Sequence, residues 1–525
     1  MADFVQTRTF ADAPAVNPWL VAVAVMASTF MEVLDTTVVN VSLPHIAGSL
    51  GATPDEATWA LTSYLVANAI VLPMTGWLAN QFGRKRLLMF SVAGFTIASF
   101  FCGLAPNLPV LIIFRVIQGA TGGGLQPLSQ AILLEVFPPE ERGKAMAFWA
   151  LGIVVAPMLG PVMGGWLTDS YSWRWVFYIN VPIGVIALLM TQTFVFDPSY
   201  IRHKAGRIDY WGMGLLAVGI GALQIMLDKG QEEDWFSSHF IVVLAPLAFF
   251  GLAIFIGREL RTDHPVVDLR VFRNRTYATG VTLMTVLGFV LYGSTVLIPL
   301  LLQTLLGYPA LQAGIVMLPR GLGSFIFMPI VGILMSKIEA RKLLTAGVLI
   351  SSMSFWRFSH LAIGVGYWDF FWPLIIQGSA MGLLFVPLTT ITNDSIPKEQ
   401  MGNATSLFNL MRNIGASIGI ASVTTLVARH QQIHLNTLGV HVNPYDAQAR
   451  SMIEAMRRSL MAAGADPITA TQQAYASIFG MVQRQATMMA FNDAFRVLMI
   501  LFLLMLPLIL IMKKPRAQGG PAAMH

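Results

Sequence analysis

The sequence predicts an all-α integral membrane protein with fourteen transmembrane helices, and three observations carry that prediction. Charged residues make up only 11% of the 525 residues and the mean hydropathy is +0.65, whereas soluble domains carry about 25% charged residues. Fourteen apolar runs are each long enough to cross a hydrocarbon core of about 30 Å. Basic residues cluster in alternate short loops, which is typical of loops that face the cytoplasm.

The predicted spans follow one another with mostly short connections, at about 19–44, 57–79, 87–105, 108–133, 144–168, 175–196, 209–227, 239–257, 277–302, 311–336, 342–362, 369–392, 403–427 and 493–512. An even number of spans puts both termini on one side of the membrane. The basic loops and tail on that side hold Arg84, Lys85, Arg86, Arg142, Lys144, Arg202, Lys204, Arg207, Arg258, Arg261, Arg270, Arg273, Arg275, Lys337, Arg341, Lys342, Lys398, Lys513, Lys514 and Arg516. The opposite short loops offer only Arg174 and Lys229, so both termini are predicted to be cytoplasmic.

Composition and missing motifs exclude several function classes. The net charge of +6 comes from cations at the ends of apolar runs rather than from one basic stripe, which argues against nucleic acid as a partner. Cys102 is the only cysteine, so no intrachain disulfide framework or zinc finger can form. No phosphate-binding loop for ATP and no metalloprotease motif occurs. A membrane-embedded enzyme or a sensor is the alternative from another functional class. The sequence shows neither a set of catalytic residues nor a signalling domain that would support this alternative.

The first apolar run contains a pair of carboxylates, Glu32 and Asp35, close to its middle. Residues three apart share one face of a helix. A charge at the centre of a bilayer costs about 2.5–3.5 kcal/mol on insertion scales, and such charges usually serve a function. The pair predicts proton or ion coupling.

A weak internal repeat divides the chain into two halves. The segment from Gly76 to Arg86, between the second and third spans, has a degraded echo at Gly332 to Lys342. Two six-helix halves then remain if the spans at 209–227 and 239–257 are an insertion between them. Repeated halves that meet around a central cavity are a transporter design, with the binding site near the midplane.

Four motifs extend this reading to a family. They are Leu34 to Pro44, Gly76 to Arg86, Arg115 to Gly119 with Gly122, Gly123 and Gly124, and Gly152 to Gly165. Together they resemble the major facilitator superfamily, in its fourteen-helix drug:proton antiporter branch, and within that branch the EmrB-like inner-membrane subunits of tripartite efflux pumps. The resemblance implies a major facilitator fold with two six-helix bundles plus two inserted helices. The expected organisation is a cytoplasmic N-terminus at 1–18, a first bundle at 19–200, the insertion at 201–260, a second bundle at 261–512 and a cytoplasmic tail at 513–525.

The resemblance assigns proton coupling to Asp35, with Arg115 as its expected partner, because a buried arginine keeps its proton and needs a counter-charge or water. Asp35 as a mere hydrogen-bonding partner of neighbouring helices, and a static Arg115 pair that only fixes packing, stay open as alternatives. Glu32 lies outside the motif. It is a second candidate for coupling, or else an acid that lines the cavity without a coupling role.

Two further motifs are predicted to control gating and helix packing. The loop with Gly76, Asn80, Gly83 and Arg84 resembles the cytoplasmic latch of the family, although Asn80 stands where an aspartate is usual; a purely topogenic basic loop is the alternative. In the fifth span, Gly160, Pro161 and Gly164 resemble the antiporter signature, which favours export, whereas ordinary helix packing is the plainer explanation.

Buried cations outnumber buried acids and point to the cargo. Arg320, Arg357 and Arg412 join Arg115 inside apolar runs, and an inward-facing arginine attracts lipophilic anions or weak acids. Each of these arginines has the alternative of snorkelling or capping a backbone carbonyl. The predicted cavity holds Glu32, Arg320, Arg357 and Arg412 with the aromatic residues Phe289, Tyr292, Phe385 and Phe408, which alternatively face lipid or pack.

The polar stretch at 428–490 is predicted to form one or two amphipathic helices outside the membrane. The resemblance implies that it contacts a periplasmic, EmrA-like membrane fusion protein that leads to a TolC-like outer-membrane channel; docking on the transporter itself or on lipid headgroups is the alternative. His430 and His434 have metal-ligand spacing, but no acidic co-ligand lies nearby in sequence, so no metal and no cofactor are expected. The overall expectation is a bacterial inner-membrane antiporter, driven by the proton gradient, that exports lipophilic compounds. A dedicated exporter of an endogenous metabolite or siderophore is the rival within the transporter class.

Overall fold

The computed structural model describes residues 17–197, 209–442 and 445–512, and these ranges are almost entirely helical. Most of the predicted N-terminal segment 1–18 and the whole tail 513–525 lie outside the described residues. The same is true of the boundary at 200 and 201, and of six predicted loop or tail cations: Arg202, Lys204, Arg207, Lys513, Lys514 and Arg516.

The first eight long helices are α1 (Pro18–Leu50), α2 (Pro54–Phe82), α3 (Arg84–Leu104), α4 (Leu108–Val136), α5 (Arg142–Ser170), α6 (Trp175–Phe194), α7 (Tyr210–Lys229) and α8 (His239–Glu259). The remaining helices are α9 (Arg275–Leu305), α10 (Ala310–Leu334), α11 (Ala340–Phe358), α12 (Tyr367–Asp394), α13 (Met401–Gly439), the short α14 (Ala447–Ala462) and α15 (Pro467–Ile511).

Each of the fourteen predicted spans corresponds to one of these helices, and thirteen of them are long and apolar enough to cross a membrane. The exception is α11, which carries Arg341, Lys342 and Arg357 within nineteen residues. It still packs inside the bundle, because Phe355 lies against Phe502 of α15 with ring centroids 5.7 Å apart. The predicted all-α membrane fold is confirmed.

Several long helices are interrupted where proline or glycine weakens the helical hydrogen-bond ladder. Pro73 lies in a 3₁₀ turn, Leu72–Met74, within α2. Gly123 and Gly124 separate two segments of α4, and Pro299 precedes a π-helical turn, Leu301–Leu305, at the end of α9. These breaks let the helices curve around the centre of the molecule.

Glycines allow the close helix contacts that hold each half together. A Cβ added at Gly160 of α5 would lie 2.1 Å from Oγ1 of Thr37 on α1, and one added at Gly164 would lie 2.9 Å from the carbonyl oxygen of Val38. In the second half, a Cβ at Gly415 of α13 would lie 2.1 Å from the carbonyl oxygen of Thr285 on α9. The close helix packing predicted for the fifth span is therefore present, and the helix that packs against it is α1.

The inserted helices α7 and α8 pack on each other, and α7 lies against both halves. Asp228 accepts a hydrogen bond from Thr62 of α2, and Lys229 donates one to Thr58 of the same helix. On the other side, Gln224 donates to Oγ of Ser417 on α13 at 3.0 Å. Where α7 begins, hydrogen bonds from the Arg258 guanidinium hold the pKa of Asp209 below its usual range. The insertion thus covers the line where α2 meets α13.

The bundle has two different ends. The connections before α3, α5, α9, α11 and α13 meet at one end, here named the basic end for the cations they carry. At the opposite end, named the hairpin end, α13 and α15 extend far beyond the predicted spans. At about 1.5 Å per residue, the 39-residue α13 is about 58 Å long, roughly twice the hydrocarbon thickness.

Because α13 is too long to lie wholly within the hydrocarbon, we name the extended arms of α13 and α15, with α14 between them, the extramembrane hairpin; it spans about residues 428–490. The polar stretch at 428–490 is therefore helical, as predicted, but it is not a pair of separate helices. Its first and last parts continue two membrane helices, and only α14 is independent. Polar side chains lowered the local hydropathy without interrupting the helix.

Candidate functional site

Asp35 forms an ion pair with Arg115 inside the first half, as predicted. Nη1 of Arg115 lies 2.6 Å from Oδ2 of Asp35, and both side chains are fully buried. The other carboxylate oxygen accepts hydrogen bonds from Gln118 at 3.0 Å and from Asn180 at 2.7 Å. Every hydrogen-bonding partner named here belongs to the first half.

Arg115 is held on several sides. Its Nε donates to the carbonyl oxygen of Ala60 at 2.8 Å, its Nη1 also donates to Gln118 at 2.7 Å, and the Tyr64 ring lies 4.2 Å from its guanidinium carbon. A buried guanidinium with this many contacts has a fixed position. The pair therefore joins α1, α2, α4 and α6 into one rigid unit.

Glu32 occupies a different network, which reaches across to the second half. Its carboxylate accepts hydrogen bonds from Asn68 of α2 at 3.1 Å and from Gln126 of α4 at 2.6 Å. The amide oxygen of Gln126 in turn accepts a hydrogen bond from Arg412 of α13. A buried carboxylate of one half is thereby connected through a single amide to a buried guanidinium of the other.

A second amide contact lies one helical turn away on the same pair of helices. Asn409 of α13 donates to Oε1 of Gln130 on α4 at 2.7 Å. The segment from Leu125 to Leu134 is buried on every face, which places it at the centre of the molecule. Gln126, Gln130 and Asn409 were not singled out from the sequence; amides at helical spacing within apolar runs were the available signal.

A cavity of about 400 Å³ lies between the two halves, towards the hairpin end. Its wall comes from α1, α5, α9 and α10 and is mostly apolar, with Pro157, Met158 and Pro161 on one side and Val296 and Met317 on the other. A few polar side chains interrupt this wall: Thr37, Asn40, Tyr292, Thr295, Gln303, Thr304 and Arg320.

Arg320 is the charged residue of the cavity wall. Its Nη1 donates to Thr295 at 2.9 Å, its residue is only 2% exposed, and its Nε has no hydrogen-bond partner. Among the described residues, no carboxylate lies within ion-pair distance of it. A buried cation without a counter-charge attracts an anion, because its desolvation is otherwise uncompensated.

The structure brings only part of the predicted cavity set together. Tyr292 and Arg320 line the cavity, whereas Glu32 and Arg412 lie in the network that joins the halves. Arg357 is exposed at the last turn of α11, so its placement in the cavity is wrong.

The other three aromatic residues also differ from the prediction. Phe385 and Phe408 are fully buried packing residues; Phe385 lies 6.0 Å from Trp149 of α5, measured between ring centroids. Phe289 is partly buried, with its backbone against Gly419. Hydropathy gives the depth of such residues but not the direction in which they point.

Contacts between the halves close the basic end. A Cβ added at Gly76 would lie 2.6 Å from Cα of Asn403, and one added at Gly143 would lie 2.9 Å from Cβ of Met335. Arg142 forms an ion pair with Asp394 across the same boundary.

The predicted latch residues lie at this end. Arg84 pairs with Glu135 within the first half and contacts the carbonyl oxygen of Lys398 at 3.4 Å. Gly83 has a φ of 88°, a left-handed value that favours glycine, and Asn80 is exposed. The sequence did not single out Asp394, although an acid at the end of an apolar run was a visible signal.

A third polar group lies at the base of the hairpin. His430, His434 and Asp493 come together there, although Asp493 is far from the two histidines in sequence. The expectation of no metal rested on the lack of an acidic co-ligand nearby in sequence, whereas the fold brings one in from a distant segment.

Comparisons with known proteins agree with this architecture. Residues 25–420 match the family model described as Major Facilitator Superfamily. The chain is 43% identical to the Multidrug export protein EmrB of Haemophilus influenzae, over 84% of this chain and 86% of that protein. It is 39% identical to the Fatty acid resistance protein FarB of Neisseria gonorrhoeae, over 94% and 96% respectively.

Among solved structures, the human organic anion transporter MFSD10 superposes with a TM-score of 0.58 at 14% identity, over 93% of this chain and all of that chain. At that identity the likeness concerns the fold alone. The family match, the relatives and the paired helical halves together show that the chain belongs to the Major Facilitator Superfamily, as an EmrB-like member.

Proposed function

We propose that this protein is a proton-coupled antiporter that exports lipophilic compounds, preferentially weak acids and anions. The observation that carries the cargo preference is Arg320, a buried cation that pairs with no carboxylate among the described residues and lies in a mostly apolar cavity. An apolar wall binds the hydrophobic body of a solute, and a guanidinium binds a carboxylate through charge-assisted hydrogen bonds. The names of the relatives support this proposal, since they refer to multidrug export and to resistance against fatty acids.

The contacts favour Glu32 over Asp35 as the group whose charge changes during transport. Protonation of Asp35 would leave Arg115 as a buried cation without its counter-charge, which costs about 3–5 kcal/mol. Glu32 has neutral amides as its direct partners, so its protonation breaks no ion pair. The prediction that Asp35 itself carries the proton stays a prediction.

Glu32 also has a route by which its charge acts on the second half. As a carboxylate it accepts from the Gln126 amide nitrogen, which turns the amide oxygen towards Arg412. A protonated Glu32 has one oxygen that donates, so this orientation of Gln126 is no longer enforced. Protonation then weakens the contact with Arg412 and frees the halves to rock.

The transport cycle that we expect follows from the fact that the basic end is closed. With the basic end cytoplasmic, the structure has its cavity on the outer side, where protons enter under the gradient. Protonation of Glu32 favours opening of the basic end, proton loss to the cytoplasm allows cargo to bind, and the return movement carries the cargo outward. Inward proton movement is thereby exchanged for cargo export.

We also propose a place in the bacterial inner membrane with both termini in the cytoplasm. The extramembrane hairpin then lies in the periplasm, where its exposed apolar residues suit a protein partner: Met452, Met461, Ile468, Tyr475 and Phe479. An EmrA-like membrane fusion protein, leading to a TolC-like outer-membrane channel, is the partner we propose.

Transport into proteoliposomes with an imposed pH gradient tests cargo and coupling together. A lipophilic sulfonate is a suitable probe because it stays anionic and does not redistribute passively with pH. We expect uphill transport of the sulfonate, its loss in Glu32→Gln, and retained downhill exchange in that variant. Uphill transport at the wild-type rate in Glu32→Gln would refute the role of Glu32, and the same measurement on Asp35→Asn tests the other acid. Transport of a lipophilic cation but not of the sulfonate would refute the cargo preference.

Substitutions on the hairpin separate partner binding from transport. The double variant Tyr475→Ser/Phe479→Ser changes two exposed side chains and is expected to transport normally in proteoliposomes. In cells it is expected to lose protection against lipophilic acids, because cargo would no longer pass to the outer membrane. Unchanged cellular protection would count against an adaptor at this surface.

A further inference from the structure

The base of the extramembrane hairpin carries a cluster of side chains that has no part in the transport cycle proposed above. His430 and His434 lie one helical turn apart on α13, and Asp493 faces them from α15. Nδ1 of His430 and Nε2 of His434 are each 2.8 Å from the same oxygen, Oδ2 of Asp493. Three side chains from two helices thus converge on one point.

The geometry of this cluster is close to that of a metal centre. The three ligand atoms lie within 4.8 Å of one another. In a tetrahedral zinc site with bonds of about 2.0–2.1 Å, neighbouring ligand atoms are about 3.3 Å apart. Each nitrogen–oxygen distance therefore has to widen by only about half an ångström to admit an ion.

The surroundings also suit a metal ion. Nη1 of Arg496 is 3.2 Å from the second oxygen of Asp493, so Oδ2 is the oxygen left for a monodentate bond. The His430 side chain is 39% exposed and those of His434 and Asp493 about one fifth, so an ion can enter from water and keep a water ligand.

We propose that His430, His434 and Asp493 form a binding site for a divalent transition ion, with Zn²⁺ as the best match. Two imidazoles and one carboxylate with an open fourth position suit zinc, whereas calcium and magnesium prefer all-oxygen sites. The bound ion would join α13 to α15 where the two arms leave the bundle, and so fix the direction in which the hairpin projects. This site is independent of the cargo and of the coupling acids.

Zinc titration of the full-length protein, with any affinity tag removed, tests the proposal. The protein in detergent micelles competes with a chromogenic chelator for Zn²⁺, and Mg²⁺ serves as the comparison ion. We expect one Zn²⁺ bound per chain and a loss of affinity of about 100-fold or more in His434→Gln and in Asp493→Asn. His441→Gln is the matched control, because His441 is an exposed histidine of the same hairpin. Its affinity is expected to equal that of the wild type.

Cobalt substitution gives a readout that does not depend on affinity. Co²⁺ in a four-coordinate site gives strong visible absorption bands, and His430→Cys adds a thiolate charge-transfer band if residue 430 is a ligand. The native Cys102 is buried and does not contribute. The absence of stoichiometric Zn²⁺ binding in the wild type would overturn the proposal. So would unchanged affinity in His434→Gln, or a His430→Cys protein that binds Co²⁺ without the new band.

Discussion

We predict that the close contact between Gly76 and α13 is needed for the basic end to close. In Gly76→Ala the new Cβ would lie 2.6 Å from both Cα and the backbone nitrogen of Asn403. Ordinary carbon contacts are about 3.5–4.0 Å, so α2 and α13 have to separate by roughly 1 Å. Both opposing atoms belong to the backbone, and no side chain can rotate away. Overpacking of this kind costs about 1–3 kcal/mol. If the closed state bears that cost, the ratio of molecules with a closed basic end to molecules with an open one falls about 5–150-fold.

A cross-linking rate measures this ratio. Phe82→Cys and Glu399→Cys place exposed thiols on the two halves, beside the contact between Arg84 and the Lys398 carbonyl. Native Cys102 is buried, so background labelling is low. A short bifunctional thiol reagent is expected to link the pair more slowly in Gly76→Ala than in the parent.

Gly165→Ala is the matched control for this experiment. It gains the same helix propensity as Gly76→Ala, but its new Cβ meets no atom within 4 Å. Gly143→Ala is expected to fall between the two, because its new Cβ would lie 2.9 Å from Cβ of Met335, a less severe overlap than the 2.6 Å at Gly76. Equal cross-linking rates in Gly76→Ala and Gly165→Ala would refute the view that this glycine contact limits closure.

Three other predictions concern charged groups. Arg142→Asp removes the ion pair at the basic end and is expected to slow the same cross-linking reaction. The charge-swapped double variant Arg142→Asp/Asp394→Arg is expected to restore the cross-linking rate. A double variant that cross-links as slowly as Arg142→Asp would contradict an ionic contact. Asp35→Asn is expected to lower the free energy of unfolding by about 3–5 kcal/mol, measured by thermal unfolding in detergent, and addition of Arg115→Gln is expected to recover part of that loss. Arg320→Gln is expected to weaken the binding of lipophilic anions about 10- to 100-fold, because it removes a charge-assisted hydrogen bond, and to leave the binding of lipophilic cations unchanged. Calorimetric titration with one probe of each kind measures both affinities. Equal losses for the two probes would indicate a general disruption of the cavity.

The fold and one central contact could be predicted from the sequence, because both follow from the cost of polarity in lipid. Apolar length and loop charge determine where helices cross the membrane, and every predicted span corresponds to a helix. A buried arginine needs a counter-charge, and acids at comparable depth are few, which limited the choice of partner for Arg115 to very few candidates.

The contacts between distant segments could not be predicted in the same way. Gln126 is a neutral amide with several possible partners, and only the tertiary arrangement shows that it joins Glu32 to Arg412. Asp493 reaches the histidines because α13 and α15 run side by side, an arrangement that hydropathy does not encode. Arg357 shows the converse error, since its depth in the sequence pattern did not reveal that it faces outward.

The inserted helices make the two flanks of the protein unequal towards the surrounding lipid. A hydrophobic solute dissolved in the bilayer can approach the interior through either of the two lines where the halves meet. At the line between α2 and α13 it first encounters the inserted pair, in which Asp228 and Gln224 of α7 make polar contacts with Thr62 and Ser417. At the other line, in the part of the chain that the structure describes, α5 packs directly on α10 beside Met158 and Pro161 of the cavity wall, and neither inserted helix packs against this pair. We therefore expect a solute that enters sideways from the membrane to do so at the flank formed by α5 and α10.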